Sequence, residues 1–165
     1  MEQPLWAPWR MELIGSEKPK GCIFCEFPSE EGEAADQKNL IVARTAHSFV
    51  ILNRFPYNSG HVMVIPRRHT GELTALPEEE FADLHLLLRR TVRVVQDAYQ
   101  PQGFNVGMNL GEVAGAGIAA HLHYHVVPRW GGDTNFMPVL GNTKVIIEHL
   151  SAAREKLKAG FDRAP

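Results

Sequence analysis

The heptapeptide His121-Leu122-His123-Tyr124-His125-Val126-Val127 constrains this chain more than any other stretch. Histidine at every second position, followed by an apolar pair, is the pattern of a β-strand, whose successive side chains point to opposite faces. His121, His123 and His125 then share one face at steps of roughly 7 Å. Leu122, Tyr124 and Val126 share the other face, where they can enter a core. Each imidazole needs a hydrogen-bond partner when partly buried, so a row of three is costly to assemble without a use. A single histidine on such a strand is ordinarily a satisfied core residue. Three in register supply metal ligands, or nucleophiles and proton carriers that work near neutral pH.

The flanking sequence provides a sheet for that strand to join. Residues 39–44, 47–53, 61–65, 104–110 and 121–128 are apolar and β-branched runs bounded by turn residues, and each reads as a strand. The segment 54–60 is turn chemistry, so the first three runs form a meander. Pro77 and Glu78–Glu80 open a helix whose Phe81, Leu84, Leu88, Val92 and Val95 make a core-facing stripe. Its Arg89, Arg90 and Arg93 read as a solvated face, and His85 as structural or exposed. Residues 144–159 read as a C-terminal helix, 28–38 as an acidic surface loop, and 111–118 as a Gly/Ala-rich loop just before the histidines.

A chain of 165 residues suits one domain. It divides into an N-terminal arm (1–20), a core (21–130) and an extension carrying the last helix (131–165). Trp6 and Trp9 can anchor the arm onto the body or onto a partner subunit. A net charge of -2 leaves no electrostatic footprint for duplex nucleic acid or an anionic membrane, so an anionic substrate must be held by local donors. No run reaches the length of a membrane span and no signal-peptide pattern opens the chain, which sets the expectation of a cytoplasmic protein. Cys22 and Cys25 stand as C-x-x-C, and in a reducing compartment that spacing means zinc or redox chemistry.

Taken together, Cys22-Ile23-Phe24-Cys25, Asn53 at a strand end, Gly60-His61-Val62-Met63-Val64-Ile65-Pro66 and His121-x-His123-x-His125-Val126-Val127-Pro128-Arg129 resemble the histidine triad (HIT) superfamily of nucleotide hydrolases and transferases. The flanks Leu5-Trp6-Ala7-Pro8-Trp9-Arg10 and Arg129-Trp130-Gly131-Gly132-Asp133-Thr134-Asn135-Phe136 look like the bacterial branch that includes diadenosine tetraphosphate phosphorylases. The resemblance implies an α+β fold: an antiparallel sheet of about five strands, a long packing helix and a C-terminal helix, usually in a homodimer. It also implies a two-step reaction at an α-phosphate. The middle histidine, His123, attacks phosphorus, and water or inorganic phosphate resolves the nucleotidyl-imidazole. Imidazole suits this role because it is both a good nucleophile and a good leaving group.

Other residues take expected roles beside it. His125 donates to the phosphate oxygens. Backbone N–H groups of Gly115, Ala116 and Gly117 approach phosphate, because small residues permit it. Many family members carry Gln followed by Ser or Thr in this loop, where this chain has Ala116, Gly117 and Ile118, so backbone contacts must carry more here. Asn53 and Asn109 match positions that touch ribose or the phosphate region, with turn capping as the other reading of Asn53. Phe49, Ile51 and Leu52 fall near the expected base pocket. Asn142, Thr143 and Lys144 are candidates for a distal phosphate. Zinc-containing relatives add to the two cysteines a histidine after the Pro-Arg turn and the first triad histidine, here His69 and His121, which makes a closed structural Cys2His2 site. His61 is the other contender for a ligand. No organic cofactor is expected.

The leading expectation is phosphorolysis of diadenosine tetraphosphate to ATP and ADP. A hydrolase or phosphoramidase of the same superfamily is the near rival. A metalloenzyme with the three histidines as ligands and a non-catalytic nucleotide-binding module are rivals of other classes.

Overall fold

The structure, a computed structural model, describes residues 21–133 and 148–163. Five strands, β1 (Ile41–Arg44), β2 (Ser48–Leu52), β3 (Val62–Pro66), β4 (Gly103–Met108) and β5 (Tyr124–Arg129), form one antiparallel sheet in the order β1-β2-β3-β5-β4. The α-helices of the described residues are α1 (Ile23–Glu26), α2 (Glu33–Asn39), α3 (Glu78–Tyr99) and α4 (Leu150–Arg163). The first three strands make the expected meander. β5 then pairs with β3 through Met63–His125 and with β4 through Gly107–His125, which leaves β4 at the edge.

The strand period sorts the side chains onto two faces. Val50, Leu52, Val62, Val64, Leu122 and Val126 turn toward α3 and α4 and share one buried cluster with Leu84, Leu87 and Leu157. Phe49, Ile51, Met63 and Ile65 turn the other way and pack with Phe24 of α1. Leu52 is therefore on the helical side, and only Phe49 and Ile51 of that trio face the side of the histidines. His121, Leu122 and His123 precede the ladder, which begins at Tyr124, yet they keep the strand's alternation. Pro128 lies inside β5 opposite Phe104 and does not end the strand.

Residues 28–38 are not a loop. Gly32, at φ +102°, leads into α2, whose first turn carries Glu33 and Asp36 and whose last carries Lys38. Those charges suit the helix dipole, and Ala, Gln and Lys are good helix formers. Asn39 closes this helix, so β1 begins at Ile41 and not at Asn39. The C-terminal helix runs Leu150–Arg163, and residues 144–147 of the expected span lie outside the described residues.

On α3 the buried stripe is Leu84, Leu87, Thr91, Val94 and Val95, with Leu88 and Val92 at its margin and Phe81 42% exposed. The stripe is turned because α3 serves two surfaces, the sheet and α4. The same contact half-buries Arg90: its guanidinium donates to the Phe161 carbonyl at 2.7 Å and lies 5.6 Å above that ring. Buried Arg154 fastens α4 to β1 by donating from Nε to the Ile41 carbonyl at 3.0 Å.

Candidate active site and metal centre

Two groups of imidazoles and thiols flank the start of β5. In the first, His123 is 5% exposed, and its Nδ1 lies 2.8 Å from the His121 carbonyl oxygen. A carbonyl only accepts, so Nδ1 carries the proton and Nε2 presents its lone pair. The nucleophile expected from the sequence thus has its tautomer and ring orientation set by its own backbone.

His125 is oriented from further away. The backbone N–H of Tyr57 donates to His61 Nδ1 at 3.0 Å, which places the His61 proton on Nε2. That Nε2 lies 2.9 Å from His125 Nδ1, so His61 donates and His125 keeps its own proton on Nε2. Two adjacent histidines therefore offer opposite faces of the same chemistry: a lone pair on His123 and an N–H on His125, with ring centroids 5.1 Å apart. Burial, and then the cost of charging two adjacent rings beside His123, pushes the His125 imidazole below the ordinary histidine range. His61 is fully buried. Gly60 turns the chain into it at φ +77°, and a Cβ there would meet the Tyr99 ring at 2.9 Å.

The second group contains Cys22, Cys25, His69 and His121, whose ligand atoms all lie within 4.8 Å of one another. His121 Nδ1 is 3.3 Å from Cys22 Sγ, 3.5 Å from Cys25 Sγ and 3.3 Å from His69 Nδ1. Cys25 Sγ is 3.3 Å from His69 Nδ1. Tetrahedral zinc bound to two thiolates and two imidazoles needs ligand separations of about 3.4–3.8 Å, so the four residues fit such an ion. His121 Nε2 donates to the Pro66 carbonyl at 2.8 Å, which leaves Nδ1 free to coordinate and fixes the ring. Burial, aided by His69 and His123, holds His121 below the ordinary range despite that hydrogen bond, and neutral imidazole is the ligating form. The Cys25 thiol is pushed up, first by desolvation and then by Cys22 and Glu26. Phe24, between the two cysteines, is 1% exposed and touches both His121 and His123, at centroid distances of 5.5 and 5.1 Å. His61, the alternative ligand, is committed to Tyr57 and His125.

Asn53 accepts the Phe55 N–H on Oδ1 at 2.9 Å, which is the turn-capping role, while its Nδ2 lies 3.4 Å from both ring nitrogens of His61. Asn109 Nδ2 donates to the Gly115 carbonyl at 3.2 Å, tying β4 to the small-residue loop. Within that loop the Gly115 N–H bonds Glu112 O and the Ala116 N–H bonds Gly111 O. Those two amides are thus used internally in this conformation, unlike that of Gly117. Asn142, Thr143, Lys144, Trp6 and Trp9 lie outside the described residues. His61 is an orienting group, a role its place as a contender for a metal ligand does not suggest. Its signal was parity, since it stands two residues before Met63, the cross-strand neighbour of His125.

Residues 34–132 match the model of the HIT domain. The chain belongs to the HIT family. It is 40% identical over 172 residues to the "AP-4-A phosphorylase" of Mycobacterium tuberculosis, covering 99% of this chain and 86% of that one. Among solved structures it resembles a zinc-bound histidine triad family protein from Mycobacterium smegmatis, at 27% identity and a TM-score of 0.67 over 86% of this chain and 94% of that one. A hypothetical histidine triad nucleotide-binding protein from Sulfolobus tokodaii matches at 25% identity and a TM-score of 0.67, over 86% and 92% of the two chains. The five-stranded antiparallel sheet with its helices is the fold of these neighbours, and the HIT assignment makes this a member of a nucleotide-processing family. No helix of the described residues is long and apolar enough to cross a membrane.

Proposed function

We propose that this protein transfers a nucleotidyl group through a covalent bond to His123, and that its reaction is phosphorolysis of diadenosine tetraphosphate to ATP and ADP. The observation that carries the reading is the 2.8 Å bond from His123 Nδ1–H to the His121 carbonyl, which leaves Nε2 as a directed nucleophile at neutral pH. His123 Nε2 forms a bond to the α-phosphorus as the bond to the bridging oxygen breaks, and that oxygen leaves with the electron pair on ATP. His125 Nε2–H donates to the phosphoryl oxygens as their charge grows. An oxygen of inorganic phosphate then attacks the same phosphorus, the P–N pair returns to Nε2, and ADP departs. The near-full-length relationship to a protein named AP-4-A phosphorylase supports phosphate over water as the acceptor.

Cys22, Cys25, His69 and His121 would hold zinc. With four protein ligands and no open position, the ion's contribution is to tie α1 and the segment after β3 to the start of β5. The similarity to a zinc-bound relative supports this. A cytoplasmic homodimer is the setting that accompanies the reading.

The test is incubation with diadenosine tetraphosphate, with and without inorganic phosphate, beside a His123→Ala variant. ATP and ADP formed only with phosphate, a nucleotidyl-enzyme trapped by rapid acid-free quench, and loss of both in His123→Ala are the expected results. ATP and AMP in phosphate-free buffer at the same rate would make water the acceptor.

A further inference from the structure

On the helical side of the sheet, across from the histidines, α3 and the β1–β2 turn border a pocket of about 240 Å³. Leu87, 2% exposed, forms its floor, and Leu86, 56% exposed, is an apolar shelf at its rim. Thr45 and Asp83 make one wall, joined by a hydrogen bond from the Thr45 hydroxyl to Asp83 Oδ2 at 2.6 Å. The remaining lining is Arg89, Arg90 and Arg93. Thr45 follows β1, and β1 and β4 are the opposite edges of the sheet, four strand steps or about 19 Å apart. Strand pairing along β4 in a dimer therefore takes place at the far edge.

The cations of this pocket are unusual for the molecule. Arg44, Arg68, Arg129 and Arg154 each meet a carboxylate oxygen at 2.5–2.7 Å. Arg89 and Arg93 are exposed, and neither has an ion-pair or hydrogen-bond partner among the described residues; Asp97 stands one turn beyond Arg93 without pairing with it. The two lie one turn apart on one face of α3, with Cβ atoms about 6 Å apart. Arg90 beside them is anchored to the Phe161 carbonyl, and Asp83 is engaged by Thr45. The walls are thus fixed by bonds within the protein, while two guanidiniums stand over the opening with no described counter-charge. In a chain of net charge -2, that is a local excess of positive charge.

Charge density selects the ligand. A phosphate monoester carries about −1.5 to −2 at neutral pH, and its oxygens accept paired N–H bonds from a guanidinium. Carboxylates bring one charge each, so an acidic peptide would need two side chains in register to match Arg89 and Arg93. Size narrows the choice further. At about 240 Å³ the pocket is smaller than the roughly 300–1,000 Å³ of sites that enclose a drug-sized ligand, so it takes a compact polyanion and leaves anything attached to it over Leu86. We propose that this pocket is a second anion site, apart from the His123 centre, which binds a di- or triphosphate between Arg89 and Arg93, either free or as the tail of a nucleotide.

The experiment titrates inorganic tripolyphosphate into the full chain and reads the arginine Nε–H signals by NMR, assigned from Arg89→Gln and Arg93→Gln. ATP, adenosine, sulfate and a glutamate-rich peptide are the comparison ligands. Tripolyphosphate is expected to move the Arg89 and Arg93 signals saturably, and adenosine to leave them in place. In the double variant Arg89→Gln/Arg93→Gln, with a thermal melt confirming that it folds, the dissociation constant read at Arg90 is expected to rise at least tenfold. ATP moving the same signals at lower concentration than tripolyphosphate would support the site with a nucleotide tail as its occupant, and the reverse order would support the free anion. Signals unmoved by millimolar tripolyphosphate in low salt, an equal response to sulfate at equal ionic strength, or an unchanged dissociation constant in the double variant would each overturn the site. Tighter binding of the peptide would overturn the phosphate assignment and make this a protein-docking face. Turnover enters none of these readouts, so their outcome is independent of the reaction at His123.

Discussion

Replacing His61 by phenylalanine keeps a flat ring in a fully buried site and removes both ring nitrogens. The hydrogen bonds lost include the Tyr57 N–H to Nδ1 at 3.0 Å and Nε2–H to His125 Nδ1 at 2.9 Å, beside the 3.4 Å contacts of Asn53 Nδ2 with the ring. The His125 nitrogen lies in a partly buried stack, and leaving it unpaired costs about 1–3 kcal/mol of stability. The catalytic effect is smaller than deletion of His125 itself. What is lost is the preference that keeps the His125 proton on Nε2, and one neutral hydrogen bond contributes about 0.5–1.5 kcal/mol net. At about 1.4 kcal/mol per decade, kcat should fall roughly two- to tenfold. Truncating His125 to alanine removes the donor and should cost about 10²–10³. The assay pairs steady-state turnover with nitrogen NMR of the histidine side chains. In the unmodified protein His125 should appear as the Nε2–H tautomer, and in His61→Phe as a mixture. A kcat within twofold of the unmodified protein, together with an unchanged His125 tautomer, would refute the relay from Tyr57 through His61.

Two further outcomes follow from the same geometry. Cys25→Ser should lower zinc content from about one ion per chain, measured by atomic emission, and depress the melting temperature by several degrees, since structural zinc contributes folding free energy directly; equal zinc and equal melting in the two proteins would remove the metal site. His125 is held below its unfolded value of about 6.5, so between the two values the unfolded chain binds more protons. Its contribution to stability is complete above that pH and is lost as pH falls through the folded value, so the unmodified protein should lose stability on acidification more steeply than His125→Gln. Parallel curves of unfolding free energy against pH would contradict this.

Much of the architecture was readable from periodicity. Alternation in residues 121–127 correctly separates Leu122 and Val126, in the helical core, from the histidines on the opposite face, because the two-residue period of a strand is a local property of the backbone. The same holds for the five strands and the long helix. The acidity and small side chains of residues 28–38 suit a loop and a short helix equally, and docking is what settles the matter. Asn39 is buried, with its amide directed to the Phe27 carbonyl, and Arg44 grips Asp36 from β1. The turned stripe of α3 has a similar origin, because helical spacing reports one apolar face while α3 must satisfy both the sheet and α4.

The functional residues divide along the same line. The amino-acid sequence by itself determined that three imidazoles alternate on an extended segment, that two thiols stand three residues apart, and that a Gly-His pair opens a strand. Only the tertiary structure decided what each nitrogen does. His121 became a candidate ligand because Cys22, 99 residues away in the chain, and His69, 52 residues away, arrive at its Nδ1 while Pro66 takes its Nε2. His125 became a donor because His61, 64 residues distant, occupies its other nitrogen. A tautomer is set by the partner across the ring, and such partners come from strands paired through space, which no local pattern records.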